Sequence, residues 1–494
     1  MNDIHRSAIR LNHPDKLFID GRWVPPAGDG RIEVISPHTE EVVAVVAEAR
    51  EADMDRAVLA ARAAFDRGPW PKLTHRERAD HLLRLGAQLK LRAHELALAW
   101  TQQVGALSMM APGMVGGAIG LLDYFAGLAD TFAFAEKKQP FDGLGIAVVA
   151  REPVGVVVAI VPWNAPLLIM LNKIAPALLA GCPVIMKPSP ETPLEAYIIA
   201  ECAAAAGFPP GVINLVPSHR EAADYLVRNP GVEKVSFTGS TTAGKRIASV
   251  CGERIARVTL ELGGKSAAIV CDDADLESTA KHLAFVISIM SGQVCATLSR
   301  VLVSHARYET FAEALKTELT AITVGDPFDP ASRMGPLAMR RQLVRVEGYM
   351  AKGLAEGARI ACGGGRPKDL QRGCYFEPTL LTHVQSGMTV AQEEIFGPVI
   401  ALLGYDGEED AVRIANDSNY GLFGAVFTHD NDRAYRIARG VRAGALAQNG
   451  FRMDNFLPFG GFKQSGLGRE GGEAGLASFT ELKTILLDGA PSQL

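Results

Sequence analysis

The sequence predicts an α/β protein built on an open, doubly wound, mostly parallel sheet. Two observations predict it. Between residues 154 and 270, short apolar runs alternate with helical patterns. Such alternation places helices on both faces of a parallel sheet. The run Val154–Val161 (VGVVVAIV) carries no polar side chain, as a strand buried on both faces requires.

The elements follow in order. A helical pattern runs from Leu167 to Ala180 and stops at Gly181. Pro183–Lys187 reads as the next strand. Thr192-Pro193 gives an N-cap with proline at the first helical position. That helix runs to Ala206 and stops at Gly207. Strand Val212–Val216, helix Glu221–Arg228, strand Lys234–Thr238 and helix Thr241–Val250 come next. Arg257–Leu262 and Ser266–Val270 close the series. Sheets of this kind bind ligands at the carboxyl ends of their strands, where strand order reverses. Nearer the N-terminus, Leu17–Val24 and Ile32–Val46 read as short strands with turns. Met54, Ala57, Val58, Ala61 and Phe65 fall at helical spacing, and one long helix is expected after Thr74, to about Val104. A second alternating region begins after Ile269 and runs to about residue 450. Gly363–Gly365 and Gly460-Gly461 punctuate this part of the chain, and Ser478–Leu487 reads as a terminal strand.

Composition narrows the function. The chain has 494 residues, room for about three domains of ordinary size. An apolar share of 48% excludes wholesale disorder. A formal net charge of −5 supplies no basic field for nucleic acid. None of the seven cysteines forms a Cys-x-x-Cys pair. Neither a zinc site nor a disulfide framework is therefore expected, and a reducing compartment fits. The N-terminal MNDIHRSAIR has no apolar run of signal-peptide length. The uncharged stretch Val154–Asn172 has membrane-helix length, but Pro162, Asn164 and Pro166 interrupt it. A cytoplasmic protein is expected, with no membrane partner and no catalytic metal.

Several residues then stand out as candidates. Cys295 lies in Ser291-Gly-Gln-Val-Cys-Ala-Thr. A thiolate is the reactive form of cysteine, yet most free cysteines are small buried hydrophobes. Glu261 ends an apolar strand before two glycines. A carboxylate in apolar surroundings has a raised pKa and suits general-base work, whereas a strand-end glutamate can also point to solvent. Asn164 follows the central strand, where its amide could serve an oxyanion or simply a turn. Lys187 ends the next strand. Phe237-Thr-Gly-Ser240 precedes a helix whose N–H groups suit a pyrophosphate. Gly239 to Lys245 has the glycine spacing of a phosphate-loop motif, but Arg246 stands where Ser or Thr should hold Mg²⁺. Spacing alone leaves the cofactor undecided.

Taken together these motifs resemble the aldehyde dehydrogenase superfamily. The match is carried by Pro162-Trp163-Asn164, Lys187-Pro188-Ser189, Phe237-Thr238-Gly239-Ser240, Glu261-Leu-Gly-Gly264 and Gly292-Gln-Val-Cys295. It continues through Glu394-Ile-Phe396-Gly-Pro, Pro458-Phe-Gly-Gly461 and Ser465-Gly-Leu-Gly-Arg469-Glu470. The resemblance implies a Rossmann-like dinucleotide domain over 1–130 and 151–262, and an α/β catalytic domain over 263–477. It also implies a small β oligomerisation element over 131–150 and 478–494, building a homodimer or homotetramer. Cys295 would be the nucleophile, Asn164 and the Cys295 N–H the oxyanion donors, Glu261 the base that activates water, and Glu470 a second carboxylate in the proton relay. The cofactor would be NAD, held by Trp163, Lys187, Ser240, Leu262, Glu394 and Phe396. The substrate would be an aldehyde, lined by Phe451, Met453, Phe456 and Phe459. That apolar lining implies a hydrophobic or bulky aldehyde.

Three departures qualify the resemblance. Many NAD-preferring members carry a glutamate three residues after the lysine. Here that position is Pro190, with Glu191 one place later, which leaves NADP use open. Ala165 replaces the usual aromatic after Pro-Trp-Asn. Ile287-Ser-Ile-Met-Ser291 replaces a run rich in phenylalanine and asparagine. A coenzyme A-acylating member is one alternative, but such members usually lack the base at the Glu261 position. A non-catalytic protein on the same fold is the other.

Overall fold

A computed structural model describes residues 9–492. The expectation for MNDIHRSAIR lies largely outside these residues. Two large sheets dominate. The first runs in the order Gly466–Leu467, Arg257–Glu261, Lys234–Thr238, Val157–Ile160, Val184–Lys187, Ile213–Leu215, Leu17–Ile19, Arg22–Val24. The five middle strands are parallel, and both flanks pair antiparallel. From Val157–Ile160 the chain builds outward through two strands on one side, then returns to Lys234–Thr238 on the other. The order therefore reverses between Val157–Ile160 and Lys234–Thr238, which opens a crevice at their carboxyl ends.

The second sheet runs Arg359–Cys362, Thr379–Thr382, Val399–Tyr405, Arg300–Ser304, Ala267–Val270, Phe423–Phe427, Ala445–Gln448. All but the Arg359–Cys362 edge are parallel. A three-stranded antiparallel sheet joins Thr480–Leu487, Ile146–Pro153 and Ala135–Lys138. A hairpin of Arg31–Ile35 and Val42–Ala47 stands apart.

Helix Pro166–Ala180 positions one side of the crevice. Proline at its start costs no hydrogen bond, and Gly181 ends it at φ 102°, a conformation open to glycine. Nearly the whole helix is buried, so its packing rather than its propensity holds it.

The structure corrects several expectations. Ser266–Val270 belongs to the second sheet, as Ala267–Val270, because it pairs with Arg300–Ser304 and Phe423–Phe427. Gly466–Leu467 falls within 263–477 but closes an edge of the first sheet. The small β element expected over 131–150 contains strand Ile146–Pro153, which runs three residues past that bound. The long helix after Thr74 is two helices, His75–Leu91 and Ala93–Val104, broken at Arg92. Arg92 is instead drawn into ion pairs with Glu95 and Glu201. Thr192 does not cap its helix. The helix starts at Leu194, and the Thr192 hydroxyl is buried without a partner. Helix Ala111–Thr131 was not anticipated. It is long and apolar enough to cross a membrane by length and composition, and half of its most apolar window is buried.

Candidate active site

A cavity of about 180 Å³ opens in the crevice between the two large sheets. Pro162, Trp163 and Asn164 enter it from the end of the central strand, and Thr238, Gly239 and Ser240 from the end of its neighbour. Leu262 and Gly263 follow strand Arg257–Glu261 into the wall. Cys295, Glu394, Phe396, Gln342 and Arg345 close it from the other side. Residues 131 positions apart in the chain, Asn164 and Cys295, thus share one small space.

The loop carrying Cys295 leaves helix Leu276–Ser288 through a left-handed turn. Met290, Ser291 and Gly292 have φ values of 49°, 54° and 71°. For residues other than glycine this costs roughly 1–2 kcal/mol each, so other contacts must hold the loop. The Ser291 hydroxyl lies 2.8 Å from the Gly335 carbonyl and 3.1 Å from that of Pro336. Gln293 Nε2 donates to the Met290 carbonyl at 2.8 Å, and its Oε1 accepts the Ala338 N–H at 3.0 Å. A Cβ at Gly292 would meet the Gly397 carbonyl at 2.2 Å, so the backbones touch there.

Asn164 Nδ2 donates to the Gln293 carbonyl at 2.9 Å, and the Trp100 indole holds the Asn164 carbonyl at 2.9 Å. An amide nitrogen has two protons, so the second remains for a ligand in the cavity. The backbone N–H groups of Ala296 and Cys295 face the Cys295 sulfur. Burial, then the Glu394 and Glu261 carboxylates, push the Cys295 thiol up to about 12. The resting cysteine is therefore a thiol.

Glu261 is 4% exposed, and neither of its oxygens has a hydrogen-bond partner. Burial foremost, and then the Glu470 charge, raises its pKa well above the usual carboxylate range, while Lys173 and Arg469 oppose the rise. A Cβ at Gly460 would come within 2.7 Å of Glu261 Oε1, so a glycine there keeps the carboxylate's space open. Glu470 differs. It is ion-paired with the fully buried Lys173 and accepts the Ser236 hydroxyl at 3.2 Å. Lys173 also reaches Ser236 at 3.3 Å. Sequence reasoning missed Lys173. Its signal was present: it is the one charged residue between Glu152 and Lys187, and a lone buried cation needs a partner.

The remaining candidates are placed as follows. Glu394 accepts the Gly264 N–H at 3.0 Å, and burial raises its pKa to about 7. Trp163 and Phe396 meet edge to face at 5.3 Å. The Ser240 hydroxyl caps its own helix by accepting the Ala243 N–H at 3.3 Å. Lys187 is buried and its pKa falls to about 8, chiefly by desolvation, while the Glu191 charge opposes the fall. Phe451, Met453 and Phe459 do not line this cavity. Phe451 packs on Phe423 at 5.3 Å, Phe459 is backbone-paired with Glu470, and Met453 is exposed. Phe456 stacks on Tyr124 at 4.6 Å. Among the described residues no three His, Cys, Asp or Glu side chains converge as a metal site, and all seven cysteines are free thiols.

The crevice fits a dinucleotide. The ammonium group of buried Lys187 has no hydrogen-bond partner among the described residues, and Thr238 presents an orphaned buried hydroxyl beside the cavity. Gly244 brings helix Thr241–Glu253 within contact of Leu262, where a Cβ would clash at 2.4 Å. The N-terminus of that helix therefore faces the crevice, as anion binding requires.

Comparison with known proteins agrees with this geometry. The profile of the aldehyde dehydrogenase family matches residues 23–485. Geranial dehydrogenase of Castellaniella defragrans is 42% identical over 96% of this chain and 98% of its own. An aldehyde dehydrogenase of Mycobacterium tuberculosis, complexed with NAD+, is 44% identical. It superposes with a TM-score of 0.93 over 96% of this chain and 98% of that one. Aldehyde dehydrogenase C of Pseudomonas syringae, a mutant in complex with NAD+ and octanal, is 37% identical. Its TM-score is 0.94 over 98% of this chain and 99% of that one. The chain belongs to the aldehyde dehydrogenase family and is an NAD(P)-dependent aldehyde dehydrogenase.

Proposed function

We propose that this enzyme oxidises a hydrophobic or bulky aldehyde to its carboxylic acid by covalent catalysis at Cys295. The observation that carries the proposal is the cavity that gathers Cys295 and Asn164 beside an unpartnered, buried Glu261. The sulfur attacks the aldehyde carbon as the thiol gives its proton to solvent water, which leaves Glu261 ionised for the later step. The carbonyl oxygen becomes an oxyanion, held by the free Asn164 N–H and the Cys295 N–H. When bound, NAD(P)+ supplies the hydride acceptor that lets the thiohemiacetal become a thioester. Trp163, Lys187, Ser240, Leu262, Glu394 and Phe396 would hold it. Glu261 then takes a proton from water, the hydroxide attacks the thioester, and the acid leaves with Cys295 restored. The surplus proton passes toward Glu470, which is ion-paired with Lys173. The Glu261 base favours water over coenzyme A as the acyl acceptor, because a thiol needs a base much less.

The substrate class has separate support. Apolar Phe456, Leu457 and Met453 lie exposed on one loop; one relative is a geranial dehydrogenase, and a mutant of another is complexed with octanal. The three-stranded sheet is assigned to oligomerisation, since Leu482, Leu486, Phe141 and Leu144 leave apolar side chains in solvent there. Absorbance at 340 nm across a panel of aldehydes, with NAD+ and NADP+ in parallel, tests the reading. Reduced cofactor should form, and Cys295→Ala should lose roughly 10⁴–10⁶ in kcat. Faster turnover of small polar semialdehydes than of long-chain aldehydes would sink the substrate class. Acyl-coenzyme A as the product would sink hydrolysis.

A further inference from the structure

A second, smaller cavity lies at the amino ends of four neighbouring strands of the second sheet. Its volume is about 10 Å³, the room of roughly one water-sized particle. Lys265, Ser266 and Ala267 line it where the chain crosses from the first sheet to the second. Arg300, the first residue of strand Arg300–Ser304, lines it beside them. The segments before strands Phe423–Phe427 and Ala445–Gln448 complete the wall.

The charged groups on this wall are all cations. Lys265 is 2% exposed, and its ammonium is buried without a partner. An ammonium carries three N–H donors. The Ser266 hydroxyl is likewise buried and unpartnered. Arg300 is also 2% exposed. Its Nε donates to the Lys265 carbonyl at 2.9 Å, and its Nη2 to that of Ala415 at 2.8 Å. Its Nη1 donates to the carbonyls of Ile414 at 3.1 Å and Asp417 at 3.5 Å. A guanidinium has five N–H groups, so one on Nη2 remains. Exposed Arg442 adds a third cation at the rim. Among the described residues no aspartate or glutamate lines the cavity. Neighbouring buried cations with no carboxylate between them are costly. The cost shows in Lys265. Burial foremost, and then the Arg300 charge, lower its pKa to about 7, against the pull of Glu394 and Glu393. Water answers this poorly, since it must place two protons of its own and cancels no charge. A monatomic anion only accepts, and it supplies the missing charge. Phosphate and carboxylate groups exceed the space.

We propose that Lys265 and Arg300 hold a buried monatomic anion of chloride size where the chain crosses between the two large sheets. Its place gives it a structural role. Lys265 directly follows Gly263-Gly264. A Cβ at Gly264 would meet the Cys295 carbonyl oxygen at 2.4 Å, and Glu394 accepts the Gly264 N–H. The anion fastens the crossing segment on which both contacts depend. It takes no part in the catalytic steps above and stands independently of them.

Two measurements test this without turnover. Crystals of the wild type are soaked in bromide and measured at the bromine absorption edge. An anomalous peak should stand between Lys265 Nζ and Arg300 Nη2. In solution, wild type, Lys265→Met and Lys265→Gln are melted as chloride replaces gluconate at constant ionic strength. Gluconate is too large for the cavity. Lys265→Met should fold, because it exchanges a buried unpaired cation for an apolar chain of similar length. Lys265→Gln keeps a donor without the charge and serves if the methionine variant does not fold. The wild-type melting temperature should rise by about 1–3 °C between about 10 and about 300 mM chloride, as a ligand of the folded state requires. Neither variant should respond. Absence of the bromide peak overturns the proposal. So does a wild-type response no larger than that of the variants, and any bromide peak is then binding at crystal concentration only.

Discussion

On the Cys295 side of the cavity, position is fixed through uncharged groups. Asn164, Gln293 and Ser291 bond to carbonyls and amides, and together they hold a left-handed turn that would otherwise relax. On the Glu261 side, the decisive contacts are charges. Glu261 is left without a partner, while Glu470 beside it is paired with the buried Lys173. One wall sets geometry and the other sets protonation. The difference teaches where each defect should appear. Damage to the first wall should slow acylation with little change in pH profile. Damage to the second should slow hydrolysis or move its pH dependence.

The largest separation is expected from Glu261→Gln. The variant should still form the thioester and release about one equivalent of reduced cofactor per site in a burst, and then stall. Steady-state kcat should fall by roughly 10²–10⁴, the usual worth of a general base. Stopped-flow absorbance at 340 nm checks it. Loss of the burst as well would mean that Glu261 is needed to activate Cys295. In the wild type, hydrolysis should rise with pH, because only the ionised carboxylate takes a proton from water and its pKa is raised by burial.

Asn164→Ala should cost somewhat less, about 10²–10³ in kcat, as the loss of one oxyanion donor does elsewhere. Here the burst itself should slow, and the pH profile should keep its shape. A normal burst followed by slow hydrolysis would place Asn164 on the wrong side of the comparison. Its amide also braces the Gln293 carbonyl. Asn164→Asp, which has no N–H, should therefore be at least as slow as the alanine variant.

How much of this was readable from the sequence differs between the two walls. Cys295, Asn164, Glu261, Glu394 and Phe396 lie in contiguous motifs, each at the end of a strand or in a tight loop, and motif order survives in the chain. The brace around Cys295 did not show. Its left-handed turn replaces an expected run of other residues, and the bonds from Ser291 and Gln293 reach positions about 45 residues away. Lys173 was hidden because it sits in an apolar helix, where periodicity reports only the core. Phe451 and Phe459 were expected on the substrate-tunnel loop, and both are half-buried and pack against the core of the second sheet. The strand Gly466–Leu467 was hidden because pairing across 200 residues has no local pattern.

Glu470→Gln should give a smaller effect, read in the pH profile rather than in the maximum. Glu470 raises the pKa of Glu261, second to burial. Removing its charge, and leaving Lys173 cationic nearby, should lower the pKa that governs hydrolysis. The acid limb of kcat should move to lower pH by no more than about one unit, since desolvation remains. A limb that moves upward would mean that Glu470 acts mainly by carrying the proton away. Glu470→Gln is preferable here to a change at Lys173, because removing one partner of a buried pair can cost about 3–5 kcal/mol.

The smallest effect is on stability, and it tests the same wall without substrate. Glu261 has a folded pKa above its unfolded value. The folded protein therefore holds a proton that the unfolded chain gives up, and stability falls as pH rises from the ordinary carboxylate pKa to the raised one. Above that window the loss is complete, at about 1.4 kcal/mol for each unit between the two values. Glu261→Gln carries no titrating proton at this position, so its melting temperature relative to wild type should increase with pH across the window and then level off. A difference that stays flat from pH 4 to pH 9 would mean that Glu261 is ionised throughout in the folded protein. The orphaned carboxylate's ionised form would then be favoured by Lys173 and Arg469 more than burial disfavours it.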